Sequence, residues 1–232
     1  MRRLFGTLFA AWTVLAMPAQ ADGTNPVVVE LYTSQGCSSC PPADALLHEI
    51  ANRDDVIALA LHVDYWDYIG WKDEFADPLH TKRQKDYAVI GGRRSIYTPQ
   101  MIINGRTTII GTKPMALAEA ISKYGAAPTP VSLNVQRAGG DLQIAATSDG
   151  ATGSLVVQMV HYQPERNVAI KRGENAGHTF TYANVAQDWT VLAEWNGVAP
   201  FELSVPLAHD LPLAVIVQDG PTGPILAARK LQ

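Results

Sequence analysis

Cys37 and Cys40 are the only cysteines of this 232-residue chain, and Ser38 and Ser39 separate them. Strand-forming residues precede the pair (27–32), and a helix-forming run follows Pro41-Pro42 (43–51). The thiolate is the nucleophile in disulfide exchange, and an ordinary thiol with a pKa of about 8.5 supplies little of it at neutral pH. The unpaired N–H groups and partial positive charge of a helix N-terminus favour that anion. The spacing therefore points to a redox dithiol in which Cys37 attacks and Cys40 resolves the mixed disulfide. Proline is tolerated in a first helical turn. Pro41 and Pro42 thus predict a regular helix from about Ser39 or Cys40, with Cys37 on the loop outside it and the more exposed of the two.

Other chemistries use the same residues. A purely structural disulfide across so small a loop would contribute about 2 kcal/mol at most. Two soft thiolates suit copper(I), although they make only half of a tetrahedral site; His62 is the nearest further ligand in the sequence. A third reading is an interaction protein whose disulfide is inert. No phosphate loop, dinucleotide fingerprint or supported Ser-His-Asp arrangement is present, and His161 and His209 are too scattered to argue for a metal. Nothing in the sequence asks for a cofactor.

The elements that must position the dithiol lie in the first half. Residues 27–32 and 56–63 read as buried strands, the second suited to a central parallel position. His62 and Asp64 fall at the C-terminal end of that second strand, the end where ligands bind in parallel sheets and where the Cys37 loop should also lie. Either could assist proton transfer, or be a hydrogen-bonded strand end. Asp44 could cap or polarise the first helical turn, or be solvated. The aromatic, polar run 64–77 holds Tyr65, Trp66, Tyr68 and Trp71, which either line a groove beside Cys37 or pack the loop against the second half. Residues 79–88 suggest a charged, partly exposed helix, and Arg93-Arg94 after it either binds an acidic substrate or forms an exposed loop. Thr98-Pro99 opens the strand 99–104, and Asn104-Gly105 joins it to 106–110 as a hairpin. Residues 114–124 begin with proline and form the last helix.

Helical periodicity fades after residue 125, past the Pro-rich join at 125–130. Short alternating runs follow at 131–136, 141–147, 154–162, 179–185, 190–194, 201–205, 213–218 and 225–229. They suggest an antiparallel sandwich of seven or eight strands. Between two of them, the glycine-bracketed loop carrying Glu174, Asn175 and His178 either faces the dithiol or is a plain hairpin loop.

Arg2-Arg3, the apolar stretch 4–17 and Ala19-Gln20-Ala21 have the pattern of a secretory signal. The stretch is too short to span a bilayer, and no lipid-anchor cysteine follows. With residues 1–21 removed, 18 less 2 basic side chains stand against 22 acidic ones, a formal charge of −6. That balance argues against nucleic acid or anionic lipid as a partner, and no second segment reads as membrane-spanning. A periplasmic or secreted location is expected, where disulfides persist. The expected partners are protein or small-molecule thiols and disulfides.

A strand, a CxxC and a helix, followed by a residue–proline pair opening a core strand, resemble the thioredoxin superfamily. The resemblance implies that Pro99 is cis, that its loop faces the dithiol and pairs with substrate backbone, that Thr98 borders the dithiol and that Tyr97 frames the groove. Residues 30–44, His62-Val63-Asp64-Tyr65-Trp66-Asp67 and Arg172-Gly173-Glu174-Asn175-Ala176-Gly177 narrow it further, being similar to an uncharacterised family of bacterial secreted thioredoxin-like proteins. Almost the whole mature chain is covered. The fold so implied is α/β and thioredoxin-like over residues 22–127, with a β-sandwich-like domain over 128–232. Neither a substrate nor a reduction potential comes with it, because Ser38-Ser39 replaces the Gly-Pro or Pro-Tyr common in those enzymes.

Overall fold

A computed structural model describes residues 25–232; the expected signal at 1–21 lies outside the described residues. The first half runs β1 (Val27–Thr33), α1 (Pro41–Ile50), β2 (Val56–His62), α2 (Pro78–Ile90), β3 (Gln100–Ile103), β4 (Thr107–Ile110) and α3 (Pro114–Gly125). The second half is β5 (Val131–Ala138), β6 (Asp141–Ser148), β7 (Leu155–Ala169), β8 (Thr179–Trp195), β9 (Phe201–Pro206), β10 (Leu213–Asp219) and β11 (Ile225–Leu231). Among the described residues no helix is long and apolar enough to cross a membrane.

The result is a mixed α/β structure with one large sheet. Its strand order is β11-β10-β7-β8-β2-β1-β3-β4, and β5-β6-β9 form a second sheet. The β1/β2 and β2/β8 pairs are parallel and the others antiparallel. Every residue of β1 and β2 is buried, as a central strand covered on both faces requires. Alternation divides their side chains. Val29, Leu31, Ala58 and Ala60 pack under α1 and α3, against Leu47, Leu117 and Ile121. Val28, Tyr32, Leu59 and Leu61 point the other way, into a core that also holds Tyr87 of α2, Val160, Ile216 and Ala228.

The second half is therefore not a free-standing sandwich, contrary to the sequence expectation. It does have a face-to-face layer: Val131, Leu133, Leu142 and Ile144 of the small sheet pack on Val157, Val215 and Val217. But the opposing layer is the outer part of the sheet that begins with β1–β4. The runs 179–185 and 190–194 are also one strand, not two. The residues between them, 186–189, form an irregularity in a continuous β7/β8 ladder, with Asp188 at φ 51°. The large sheet curls until β11 meets the β3–β4 turn, where Ile225 N–H donates to the Asn104 carbonyl (3.0 Å). That turn has positive φ at both Asn104 and Gly105, as the Asn-Gly pair predicts. A Cβ on Gly105 would come 2.2 Å from the Gly223 carbonyl oxygen.

Helix α2 shows no apolar stripe because its buried face is polar. His80, Thr81, Arg83, Gln84 and Tyr87 all point inward. Arg83 forks onto the carboxylate of Glu30, at 2.7 Å from Nε and 3.0 Å from Nη2, and Tyr87 donates to the same carboxylate at 2.8 Å. Arg83 also reaches the Gln218 side chain and the Pro221 carbonyl of the second half. Removing one partner of a buried pair leaves the other charge uncompensated. Arg83→Ala should cost about 3–5 kcal/mol in denaturant unfolding. Lys82→Ala, which breaks the exposed Lys82–Asp86 pair of the same helix, should cost no more than about 0.5 kcal/mol. Similar losses in the two variants would show that the buried pair does not carry this weight.

Candidate functional site

Cys37 and Cys40 are joined as a disulfide, with Cα atoms 5.4 Å apart. Helix α1 starts at Pro41 with Cys40 as its N-cap, one or two residues later than the prolines predict. The carbonyl of Cys40 accepts from Ala43 and Asp44, so the disulfide sits on the first helical turn. Both cysteines are buried, at 1% and 0% exposure, and only Ser38 and Ser39 of the motif reach solvent. Cys37 lies outside the helix but is scarcely more exposed than Cys40, for a specific reason. Gly36 packs on Trp66 and Ile69, and the loop at the tip of the β7/β8 hairpin lies over the turn. Asn175 Nδ2 of that loop donates to the carbonyls of Gln35 (2.9 Å) and Cys37 (3.1 Å).

The Thr98–Pro99 bond is cis. Pro99 is buried, and Gly111 marks how closely it approaches α1. A Cβ there would lie 3.0 Å from that of Ala43 and 3.1 Å from that of Pro99. Thr98 accepts from Trp66 Nε1 at 2.7 Å, and Trp66 in turn stacks on the exposed Tyr68. Tyr97 is partly exposed, its carbonyl held by Gln84. Trp66 thus borders the proline turn, while Trp71 packs with Phe75 against Val168, Ile170 and Tyr182 of the hairpin. Of the two roles considered for the aromatic loop, packing against the second half is the one Trp71 and Phe75 take.

Between the turn leading to Cys37 and the end of β2 lies a buried polar cluster. His62 Nδ1 is 2.7 Å from Asp73 Oδ2, which also accepts from the Gln35 amide at 2.8 Å. Phe75 and Tyr182 meet the His62 ring edge-on. Burial alone would raise the Asp73 carboxyl, but His62 and the Gln35 and Phe75 amides outweigh it and hold it below its ordinary value. Asp44 behaves in the opposite way. It does not cap α1; it is buried one turn after Cys40, on the same helix face. Burial pushes its carboxyl up to about 7, against the pull of His62 and the Thr33 hydroxyl. Gln35 Nε2 and His62 Nε2 are buried without a hydrogen-bond partner. A neutral acid in such a pocket can give up or take a proton near neutral pH.

Asp64 is not part of this cluster. Thr81 of α2 donates to its carboxylate at 2.6 Å, so it is a hydrogen-bonded strand end. Asp73 and Gln35 were missed by the sequence reading. Neither has a distinguishing spacing, and both acquire a role only when the 64–77 loop folds onto β2. Glu174 and His178 of the hairpin loop stay exposed.

Residues 28–218 match the model of a family described as proteins of unknown function, DUF1223. The chain belongs to that family. Among solved structures it is similar to protein AGR_C_4864 from Agrobacterium tumefaciens, at 30% identity over 91% of this chain and 96% of that one, with a TM-score of 0.78. It also resembles HBP35 of Porphyromonas gingivalis in fold, at 14% identity over 90% and 75% of the two chains, with a TM-score of 0.61. No curated protein matches the sequence.

The Asp44 carboxyl gives this DUF1223 protein a signed pH dependence. Its pKa is 3.8 as a free side chain and about 7 when folded. Between those values the folded state binds the extra proton, so stability falls as pH rises from about 4 to 7 and then levels off. Asp44→Asn should remove that slope. It should gain up to about 4 kcal/mol over the wild type at pH 8 and little at pH 4. Unfolding curves at the two pH values check this; an equal difference at both would contradict it.

Proposed function

We propose that this protein is an exported thiol-disulfide oxidoreductase with a thioredoxin-like arrangement of its first half. What carries the reading is the pairing of the chain's two cysteines as a CxxC disulfide at the start of α1, near the Thr98-Pro99 turn, with a buried acid of pKa about 7 one helical turn further on. The signal-like pattern of residues 1–21 is consistent with a periplasmic or secreted location, where such a disulfide persists.

In the oxidising direction, a substrate thiolate attacks Cys37 Sγ. The Cys37–Cys40 bond breaks, and Cys40 leaves with the electron pair, taking a proton from neutral Asp44. A second substrate thiolate then attacks the substrate sulfur of the mixed disulfide. The substrate departs as a disulfide and Cys37 as a thiolate, so two electrons pass to the protein. The reducing direction is the reverse, with ionised Asp44 accepting the Cys40 proton. The helix N-terminus stabilises the thiolate in either direction. Thr98, Tyr97 and Trp66 border the place where a substrate chain would lie.

A Cys40→Ala variant should accumulate mixed disulfides through Cys37, visible as adducts in extracts of producing cells that reductant removes. A Cys37→Ala variant should not. No adducts, together with no dithiol–disulfide interconversion of the purified wild type, would overturn the reading.

Access to Cys37 requires the Asn175 loop to lift. Losing two hydrogen bonds worth about 0.5–1.5 kcal/mol each should ease that opening. Reduction of the disulfide by a small dithiol should therefore be about tenfold faster in Asn175→Ala. An unchanged rate would show that the loop does not limit access.

A further inference from the structure

His161, Asp188 and His209, far apart in sequence, meet on the side of the large sheet occupied by β7, β8 and the β9–β10 connection. Their ligand atoms all lie within 4.8 Å of one another. The two imidazole rings are 4.2 Å apart, and His209 Nε2 is 3.4 Å from Asp188 Oδ2. The expectation that these histidines are too scattered for a metal is thus corrected: strand pairing and one loop bring them together.

A second observation makes the cluster more than proximity. His161 is 4% exposed, yet neither of its ring nitrogens has a hydrogen-bond partner, and His209 Nδ1 is also buried without one. An imidazole contains at least one N–H donor and in its neutral form one acceptor. Burying both unpaired is costly and rare unless something else answers them. Asp188 reaches the cluster because the β7/β8 ladder is irregular there. It sits at φ 51° opposite the stretch between Met159 and His161, outside the pairing register.

We infer that His161, Asp188 and His209 form a zinc(II) site. Two imidazoles and one carboxylate are a borderline-soft three-ligand set of the kind zinc takes, with its fourth position left to water. Calcium and magnesium prefer oxygen ligands. Tetrahedral bonds of about 2.0–2.1 Å put donors roughly 3.3 Å apart, so the cluster needs a closure of about 1.5 Å. His209 lies in irregular chain between β9 and β10, which can supply it. The side chains of Asp188 and His209 are 61% and 35% exposed, giving the ion a route in from solvent. Arg137, also nearby, opposes the cation, but its charge is shared with Asp210 (3.5 Å) and the Leu211 carbonyl (2.6 Å). Bound zinc would tie the β9–β10 connection to the large sheet.

The site is separate from the dithiol, and the test keeps it so. Untagged full-length protein, oxidised so that Cys37 and Cys40 offer no thiolate, is titrated with zinc against a chromophoric chelator. One ion per chain is expected, with a zinc-dependent rise in Tm and the visible bands of tetrahedral cobalt on cobalt substitution. His209→Ala and Asp188→Asn, both at accessible positions, should each weaken binding at least tenfold. His161→Gln should do the same if it folds. No saturable binding, meaning that only water answers the buried nitrogens, would overturn the inference. So would undiminished binding in the Asp188 and His209 variants.

Discussion

A carboxylate in the middle of a fully buried strand has to be answered, and much of this molecule is organised around the answer. Glu30 lies on β1 with no exposure; Arg83 and Tyr87 of α2 neutralise and hydrogen-bond it, and the Tyr32 hydroxyl of β1 donates to it as well at 3.0 Å. This fixes which face of α2 turns inward. The same face then makes the contacts that shape the site. Thr81 holds Asp64, His80 Nδ1 lies 3.0 Å from the His62 carbonyl, and Gln84 bonds the Tyr97 carbonyl and the Gln100 side chain. The end of β2 and the entry to the cis-proline turn are thus positioned by a helix that Glu30 holds in place. Arg83 carries the constraint into the second half, where Gln218, Gln158 and the Pro221 carbonyl surround it and Trp189 stacks on its guanidinium at 4.1 Å. A buried ion pair is weak evidence for net stability. Its part here is to specify register: an apolar α2 face could slide, whereas a forked guanidinium cannot.

How much of this was legible in the sequence depends on the kind of signal. Local chemistry read well. The apolar runs gave β1 and β2, the Asn104-Gly105 pair gave the β3–β4 hairpin, and prolines at the starts of α1, α2 and α3 stand where the missing N–H does no harm. Long-range pairing did not. Nothing in residues 155–195 says that they join β2 rather than a sheet of their own, because an alternating strand carries no label for its neighbour. The joint rests on a single parallel pair, Ala60 with Val185, supported by Asn184 Nδ2 on the Ala58 carbonyl. Helix α2 was legible as a helix but not as a buried one, since its partners are polar.

The site follows the same division. Cys37 and Cys40 were visible from spacing, Pro99 only through a family resemblance, and Asp44 from its place in the first turn. Its buried environment was not, because burial belongs to the packing of α1 rather than to the sequence around residue 44. Asp73 and Asn175 come from loops whose composition is ordinary. They matter because each meets the turn around Cys37 from outside it, Asp73 through the Gln35 amide and Asn175 through two carbonyls.

Those two contacts bear on what the site can do. An open dithiol reacts with whatever thiol reaches it, whereas here both cysteines are buried and a hairpin tip of the second half bonds the backbone around Cys37. The β7/β8 hairpin is long enough to be part of the large sheet at one end and to lie over the dithiol turn at the other. Any partner that reaches Cys37 must displace Asn175 and then satisfy the Gln35 and Cys37 carbonyls that Asn175 leaves behind. Water or the N–H groups of a partner chain are the donors that can do so, so what replaces Asn175 is set by the backbone groups it leaves rather than by any side-chain pocket.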